Sequence, residues 1–213
     1  MSLSRVASAH SPPRPGADKE RRARIVAAAE RAFARFGFHA TTMQNVAEEA
    51  GMSAGNLYRY FRAKEAIVEE LCAFEHAERV EIFTTMAEGG DIRAAIAGSL
   101  REYIFARPPE KARMIVEIWA EAGRNPRVAA ITRAVDEDVL AGLERVMTAA
   151  KLAGAAAASL DPAFAAKVMF TFVAGQFKRL ALEPSIDREA EAAMAIGVLG
   201  SLFSGALAPA EGI

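Results

Sequence analysis

The sequence predicts an all-α protein of about nine helices, with a three-helix N-terminal unit followed by a larger helical body. Three observations predict it. Apolar residues recur at spacings of three and four in segment after segment, as in Ile25, Ala29, Ala32, Phe33 and Phe36, or Ile131, Val135, Val139, Leu143 and Val146. Helix-start signals stand where such runs open, most plainly in Asn125-Pro126 and Asp161-Pro162, where proline takes the first helical position. The stretch from Thr41 to Lys64 reads as two short helices around a tight turn. With 213 residues, 52% of them hydrophobic, the chain can fill one small core and one larger core and is not globally disordered.

Residues 1–18 have no apolar core and carry the run from His10 to Gly16, rich in proline, so they read as a flexible tail and not as a secretion signal. Lys19 to Phe36 is an amphipathic helix stopped by Gly37. Thr42 caps the next helix, Val46, Ala47 and Ala50 give it an apolar edge, and Gly51 ends it. Ser53 then caps a helix running to Phe61, with Leu57 and Phe61 four apart on its buried side and Asn56, Arg59 and Tyr60 facing outward. Small Ala47 and Ala50 allow the two to cross closely.

From Lys64 to about Ala87 a long helix carries Ile67, Leu71, Phe74 and Ala77 on one line and leaves the first unit for the body. It is the one rigid connection between the halves. Gly89-Gly90-Asp91 breaks and recaps, and Ile92, Ile96, Leu100 and Tyr103 give a further stripe up to Pro108-Pro109; Met114, Ile115, Ile118 and Trp119 mark the next. The helix from Ala163 to Leu182 is apolar on more than one side. After Pro184 and the cap Asp187, a last helix holds an uncharged run from Ala192 to Ala208, too short and too rich in Ala, Gly and Ser for a membrane span.

A helix-turn-helix with a polar and aromatic outer face is a device for placing side chains in the major groove of double-stranded DNA. Gly55 lets backbone approach closely, Tyr58 and Tyr60 offer hydroxyls to phosphate oxygens, and Lys64 brings charge to a helix start. Only Gln44, Asn56 and Arg59 are long and polar enough to read a base edge. Direct specificity is therefore modest. Thr42-x-x-x-Val46-Ala47-x-x-Ala50-Gly51-Met52-Ser53-x-Gly55-x-Leu57-Tyr58-x-Tyr60-Phe61-x-x-Lys64-Glu65 resembles the DNA-binding signature of the TetR family of transcriptional regulators, over roughly Arg21 to Leu71. The resemblance implies phosphate contacts from Thr42, Ser53, Tyr58, Tyr60 and Lys64, and base or groove contacts from Gln44, Ala54, Gly55, Asn56 and Arg59. Two positions depart from the pattern. Ala63 stands where the family usually caps with Ser, Asn or Gly, and Ala54 is too short for a polar base contact.

Charge is split in keeping with this. Up to Glu65 the chain has eleven basic and six acidic residues, and after it fifteen basic and twenty-one acidic. A basic front on an acidic body suits a polyanion held at one end, and Arg14 with the basic residues after it is a candidate arm along the DNA backbone. The resulting division is a tail at 1–18, a helix-turn-helix domain at 19–64 and an effector-binding and dimerisation domain at 65–213.

The resemblance implies a homodimer that lays two heads on a pseudo-palindromic operator, and a cavity for a small effector among the body helices. The last two helices supply the dimer candidates Phe177, Gly197, Ser201 and Gly205, the last three repeating every fourth residue as a small-residue ridge. Candidate effector-pocket residues are the aromatic and sulfur-bearing Tyr103, Phe105, Met114, Trp119, Met169 and Phe172, joined by the polar Thr132 and Gln176; Met147, Phe170 and Thr171 belong to the same stock. That lining suits an apolar effector, aromatic or acyl.

Enzyme readings fail on spacing. There is no Gly-rich phosphate loop, His10, His39 and His76 are scattered, and Asp136-Glu137-Asp138 points in different directions around a helix. No catalytic residue, metal or cofactor is expected, and the single Cys72 reads as a small buried hydrophobe. The expectation is a cytoplasmic DNA-binding regulator, a repressor by family habit. The reading from another class is a helical small-molecule-binding protein whose helix-turn-helix no longer binds DNA, and a mobility shift with DNA from upstream of its own gene separates the two.

Overall fold

The computed structural model describes residues 15–88, 90–183 and 185–209. Among them are nine α-helices, one π-helical turn and no strand. Three helices form a head: α1 (Pro15–Phe36), α2 (Met43–Glu49) and α3 (Ala54–Leu57). The body contains α4 (Lys64–Glu88), α5 (Ile92–Ser99) with a π-helical turn at Leu100–Phe105, α6 (Pro109–Ala122), α7 (Pro126–Leu152), α8 (Pro162–Leu182) and α9 (Arg188–Phe203).

Side-chain caps set most of the starts. Asp91, Asn125, Asp161 and Asp187 each accept backbone N–H groups from the first turn that follows, which would otherwise lack partners. Prolines at the first turns of α6, α7 and α8 cost nothing there.

Four boundaries differ from the sequence reading. Helix α1 begins at Pro15 and so takes in residues assigned to the tail; residues 1–14, including Arg14, lie outside the described residues, as do Gly89 and Pro184. Helix α3 stops at Leu57, and the chain reaches Phe61 through a turn in which Arg59 N–H donates to Asn56 O and Tyr60 N–H to Leu57 O. Tighter bonds of this kind close a helix end, so Phe61 follows the helix and is not on it. The stripe after Asp91 changes at Leu100 from α to π spacing, with Ala106 N–H donating to Arg101 O. Finally, α9 stops at Phe203, because Gly205 takes φ 77 just past the cap. Gly205 therefore drops out of the expected ridge; a Cβ there would lie 3.0 Å from Ser159 Oγ.

Two buried clusters organise the packing. One joins Ile25, Phe33, Val46, Leu57 and Phe61 of the head to Ile67 and Leu71 of α4, and also to Met114 and Ile118 of α6 and Val128 of α7. The other fills the body from Met86 through Met147 and Met169 to Phe203. Helix α4 belongs to both, and it packs along α7 for much of its length. The head thus rests on the ends of α6 and α7, and any shift of α4 is felt at both cores. No described helix is long and apolar enough to cross a membrane.

Candidate nucleic-acid interface and ligand cavity

The turn between α2 and α3 is built by reciprocal side-chain bonds. Thr42 Oγ1 accepts from Asn45 N–H at 3.1 Å while Asn45 Oδ1 accepts from Thr42 N–H at 2.9 Å, a capping box in which asparagine does the work usual for glutamate. Gly51, at φ 67, closes α2, and Ser53 Oγ caps α3 by accepting from Asn56 N–H at 3.3 Å. Buried Val46, Ala47 and Leu57 hold the two helices together, which leaves the opposite side to solvent.

On that side Thr42, Gln44, Ser53, Gly55, Tyr58 and Arg59 are exposed, and Ala54, Asn56 and Lys64 are half-buried. Tyr58 is 50% exposed despite its size. Tyr60 differs from the expectation of an outward residue, since its ring packs against the head core and only part of it reaches solvent. Gln44 Nε2 donates to Glu48 Oε1 at 2.8 Å, so its amide oxygen is the free end. Lys64 Nζ donates to Phe38 O at 2.6 Å and His39 O at 2.9 Å, and it sits 4.6 Å from the centre of the Phe38 ring. An ammonium has three protons, so one remains for a phosphate. Burial lowers the Lys64 pKa below the ordinary lysine value. Exposed Arg62, three residues from Arg59, adds a cation that the sequence reading left out.

The body holds a cavity of about 180 Å³ whose open lining is wholly apolar. It gathers Tyr103, Trp119 and Met169, together with Met147 and Phe170. Phe177, expected at a dimer surface, also points into this cavity, its ring edge-on to Trp119 with centroids 6.1 Å apart. Further walls come from residues that the sequence did not offer as pocket candidates, among them Ile82, Phe83 and Met86 of α4 and Leu143 of α7. Leu143 lies on a stripe that periodicity marks as core, so spacing alone does not separate it from filler.

The remaining pocket candidates lie elsewhere. Phe105 is buried in the body core, and its carbonyl accepts from Arg188 Nη1 at 2.7 Å. Met114 belongs to the head cluster, where α6 meets α1. Thr132 turns its hydroxyl back to Val128 O and Ala129 O within α7. Phe172 packs on the body core away from the cavity, and Thr171 is exposed. Gln176 is buried at 3% exposure with Oε1 lacking a hydrogen-bond partner, and it does not line the cavity. Because an unpaired buried acceptor keeps its desolvation cost, Gln176→Met is expected to raise thermal stability by about 1 kcal/mol, read from the melting temperature.

Cys72 is partly buried, and burial, followed by the nearby Glu75 carboxylate, pushes its thiol pKa up to about 11. At neutral pH it is a thiol and not a thiolate. Iodoacetamide at pH 7.5 is expected to leave the folded protein unmodified and to label Cys72 after unfolding, as read by mass spectrometry. Among the described residues no group of three or more His, Cys, Asp or Glu is placed to share a metal ion.

These features have close parallels. A family model described as bacterial regulatory proteins, tetR family, matches residues 25–71, which span the head and the start of α4. The HTH-type transcriptional regulator UidR of Escherichia coli (strain K12) is 26% identical over 184 residues, covering 86% of this chain and 93% of that one. The structure of Salmonella enterica GusR aligns with a TM-score of 0.73 at 26% identity, over 86% of this chain and 95% of that one. A TetR-family regulator from Rhodococcus sp. gives a TM-score of 0.75 at 24% identity, over 87% and 100%. The exposed helix-turn-helix face and the family match that coincides with it agree: residues 25–71 form a DNA-binding unit of the tetR family, and the chain along most of its length is similar to TetR-family transcriptional regulators.

Proposed function

We propose that the protein is a cytoplasmic homodimeric repressor that grips a pseudo-palindromic operator and releases it when a small apolar effector fills the body cavity. The observation that carries this reading is the make-up of the cavity wall. Ile82, Phe83 and Met86 belong to α4, the helix whose first turn, from Lys64, is packed into the head. A ligand that fits better when these side chains are displaced therefore favours a different angle of the head, and the operator favours the original one. A dry cavity of this size accepts an aryl ring or a short acyl chain.

Pairing of α8 and α9 with their two-fold copies is supported by the surface they leave open. A Cβ on Gly175, Gly197 or Gly200 would meet nothing, and Leu182 and Met194 are 67% and 42% exposed. Close approach of a second pair of helices would cover this face. The domain limits 19–64 and 65–213 stand in this reading as units of function, although their cores interlock.

The test is a mobility shift with duplex from upstream of the gene. Tyr58→Phe removes one phosphate donor and is expected to weaken binding to every sequence alike, by about 2- to 10-fold. Asn56→Ala is expected to relax preference at one base position by about 1–3 kcal/mol of discrimination. Parent-like binding by both variants would overturn the contact assignments. A monomer at micromolar concentration, or indifference to all duplexes at low salt, would overturn the whole reading.

A further inference from the structure

Tyr103 lies in the walls of two hollows at once. One is the dry cavity; the other is an open cleft of about 740 Å³ between α1 of the head and the body. Charged side chains line much of the cleft, whereas the open lining of the cavity is apolar. Arg31 and Arg35 of α1 face it, as do Glu78 of α4, Arg107, and Lys111 and Arg113 of α6. Tyr103 sits in the π-helical turn, a rare backbone form that concentrates at functional sites.

The cation next to this partition is Arg107, whose guanidinium carbon lies 5.9 Å from the centre of the Tyr103 ring. It is tied to α4 through Glu78 at 3.2 Å and Glu75 at 3.8 Å. Partly exposed pairs like these contribute little and exchange readily with a competing anion. Lys111 is better held, between Glu30 of α1 and Glu75 of α4. Elsewhere in the cleft, among the described residues, Arg35 and Arg113 lack a carboxylate partner and Glu102 and Glu110 lack a cationic one, so their charges offset.

Building on the effector reading of the cavity, we propose that the two hollows are the ends of one site for an amphipathic carboxylate. Its hydrocarbon or aryl tail lies in the dry cavity past Tyr103, and its carboxylate takes the place of Glu78 on Arg107. A planar guanidinium matches a carboxylate in two parallel hydrogen bonds, which neither an alcohol nor an amine reproduces. The exchange also cuts the tie between Arg107 and α4, so the head group acts on the same helix as the tail.

The test uses the full-length protein and three probes with one tail: octanoate, octan-1-ol and octylamine at pH 7. Trp119 is the only tryptophan and lies in the cavity wall, so its fluorescence reports occupancy. Octanoate is expected to bind about tenfold tighter than the other two. Arg107→Gln is expected to abolish that preference, so that octanoate and octan-1-ol bind the variant alike. Equal affinities for the three, a preference for octylamine, or a preference that survives Arg107→Gln would overturn the proposal while leaving the apolar cavity intact. If none of the three altered Trp119 emission, the cavity reading would fall and this proposal with it.

Discussion

Gly142→Ala is expected to lower stability by about 1–3 kcal/mol and to close much of the body cavity. Gly142 is buried in α7, directly against the ring of Phe83 on α4. A Cβ there would lie 2.2 Å from Phe83 Cδ2, 2.4 Å from Cε2 and 2.9 Å from Cγ. Because Cγ itself is too close, a small swing of the ring tip does not relieve the overlap. The ring has to rotate into the cavity it lines, or α4 has to move away from α7. Both outcomes resemble what the proposed effector does, so the variant should bind operator more weakly with no ligand present. Phe83→Leu in the same chain should restore stability, and the double-mutant cycle should show a large favourable coupling between the positions. The measurements are a thermal melt and a mobility shift of the four proteins. A Gly142→Ala variant that melts with the parent would show that the α4–α7 contact is not the tight seat its geometry describes.

That contact also marks the limit of what the sequence discloses. Thr42, Ser53, Asp91, Asn125, Asp161 and Asp187 are legible as helix starts because each bonds to backbone within three residues of itself. The exposed residues of the helix-turn-helix were legible for a similar reason: Leu57 and Val46 had to be buried, which left Tyr58, Arg59 and Gln44 outside. What periodicity cannot supply is the azimuth of a helix that is apolar all round. Helix α8 has three kinds of neighbour, α6, α7 and α9, so Phe172 and Phe177 look equivalent in sequence, yet only Phe177 reaches the cavity. Phe105 is buried in the body core off the cavity, and Met114 belongs to the head cluster and lines the cleft, distinctions that spacing in the sequence does not carry. Pairings across long sequence gaps are equally silent. Nothing local tells that Lys64 reaches back to the carbonyls of Phe38 and His39, or that Phe83 requires a glycine at 142.

Phe61→Ala should destabilise the head by about 3–5 kcal/mol. Phe61 is 1% exposed, and its backbone N–H donates to Leu57 O at 3.0 Å, so it anchors the turn that carries Tyr58 and Arg59. The guanidinium of Arg22 lies 4.5 Å over its ring while donating to both carboxylate oxygens of Glu70, at 2.9 and 2.8 Å, and to Tyr60 O at 3.3 Å. Removing the ring therefore empties a core site and frees Arg22 from one of its three restraints. The Arg22 hydrogen bonds hold the Glu70 pKa below the ordinary carboxylate value. A carboxylate depressed on folding contributes stability above its unfolded pKa and loses it as pH falls through the folded one. In Phe61→Ala, where little reserve is left, the head should consequently unfold on mild acidification before the body does. The expected record is operator binding lost at a temperature and pH where Trp119 emission is still that of the folded body. Because Met114, Ile118 and Val128 share the head cluster, that early transition should expose the lower ends of α6 and α7 and bind a hydrophobic dye. A single transition shared by Trp119 emission and operator binding at the parental melting temperature would show that Phe61 does not hold the reading turn.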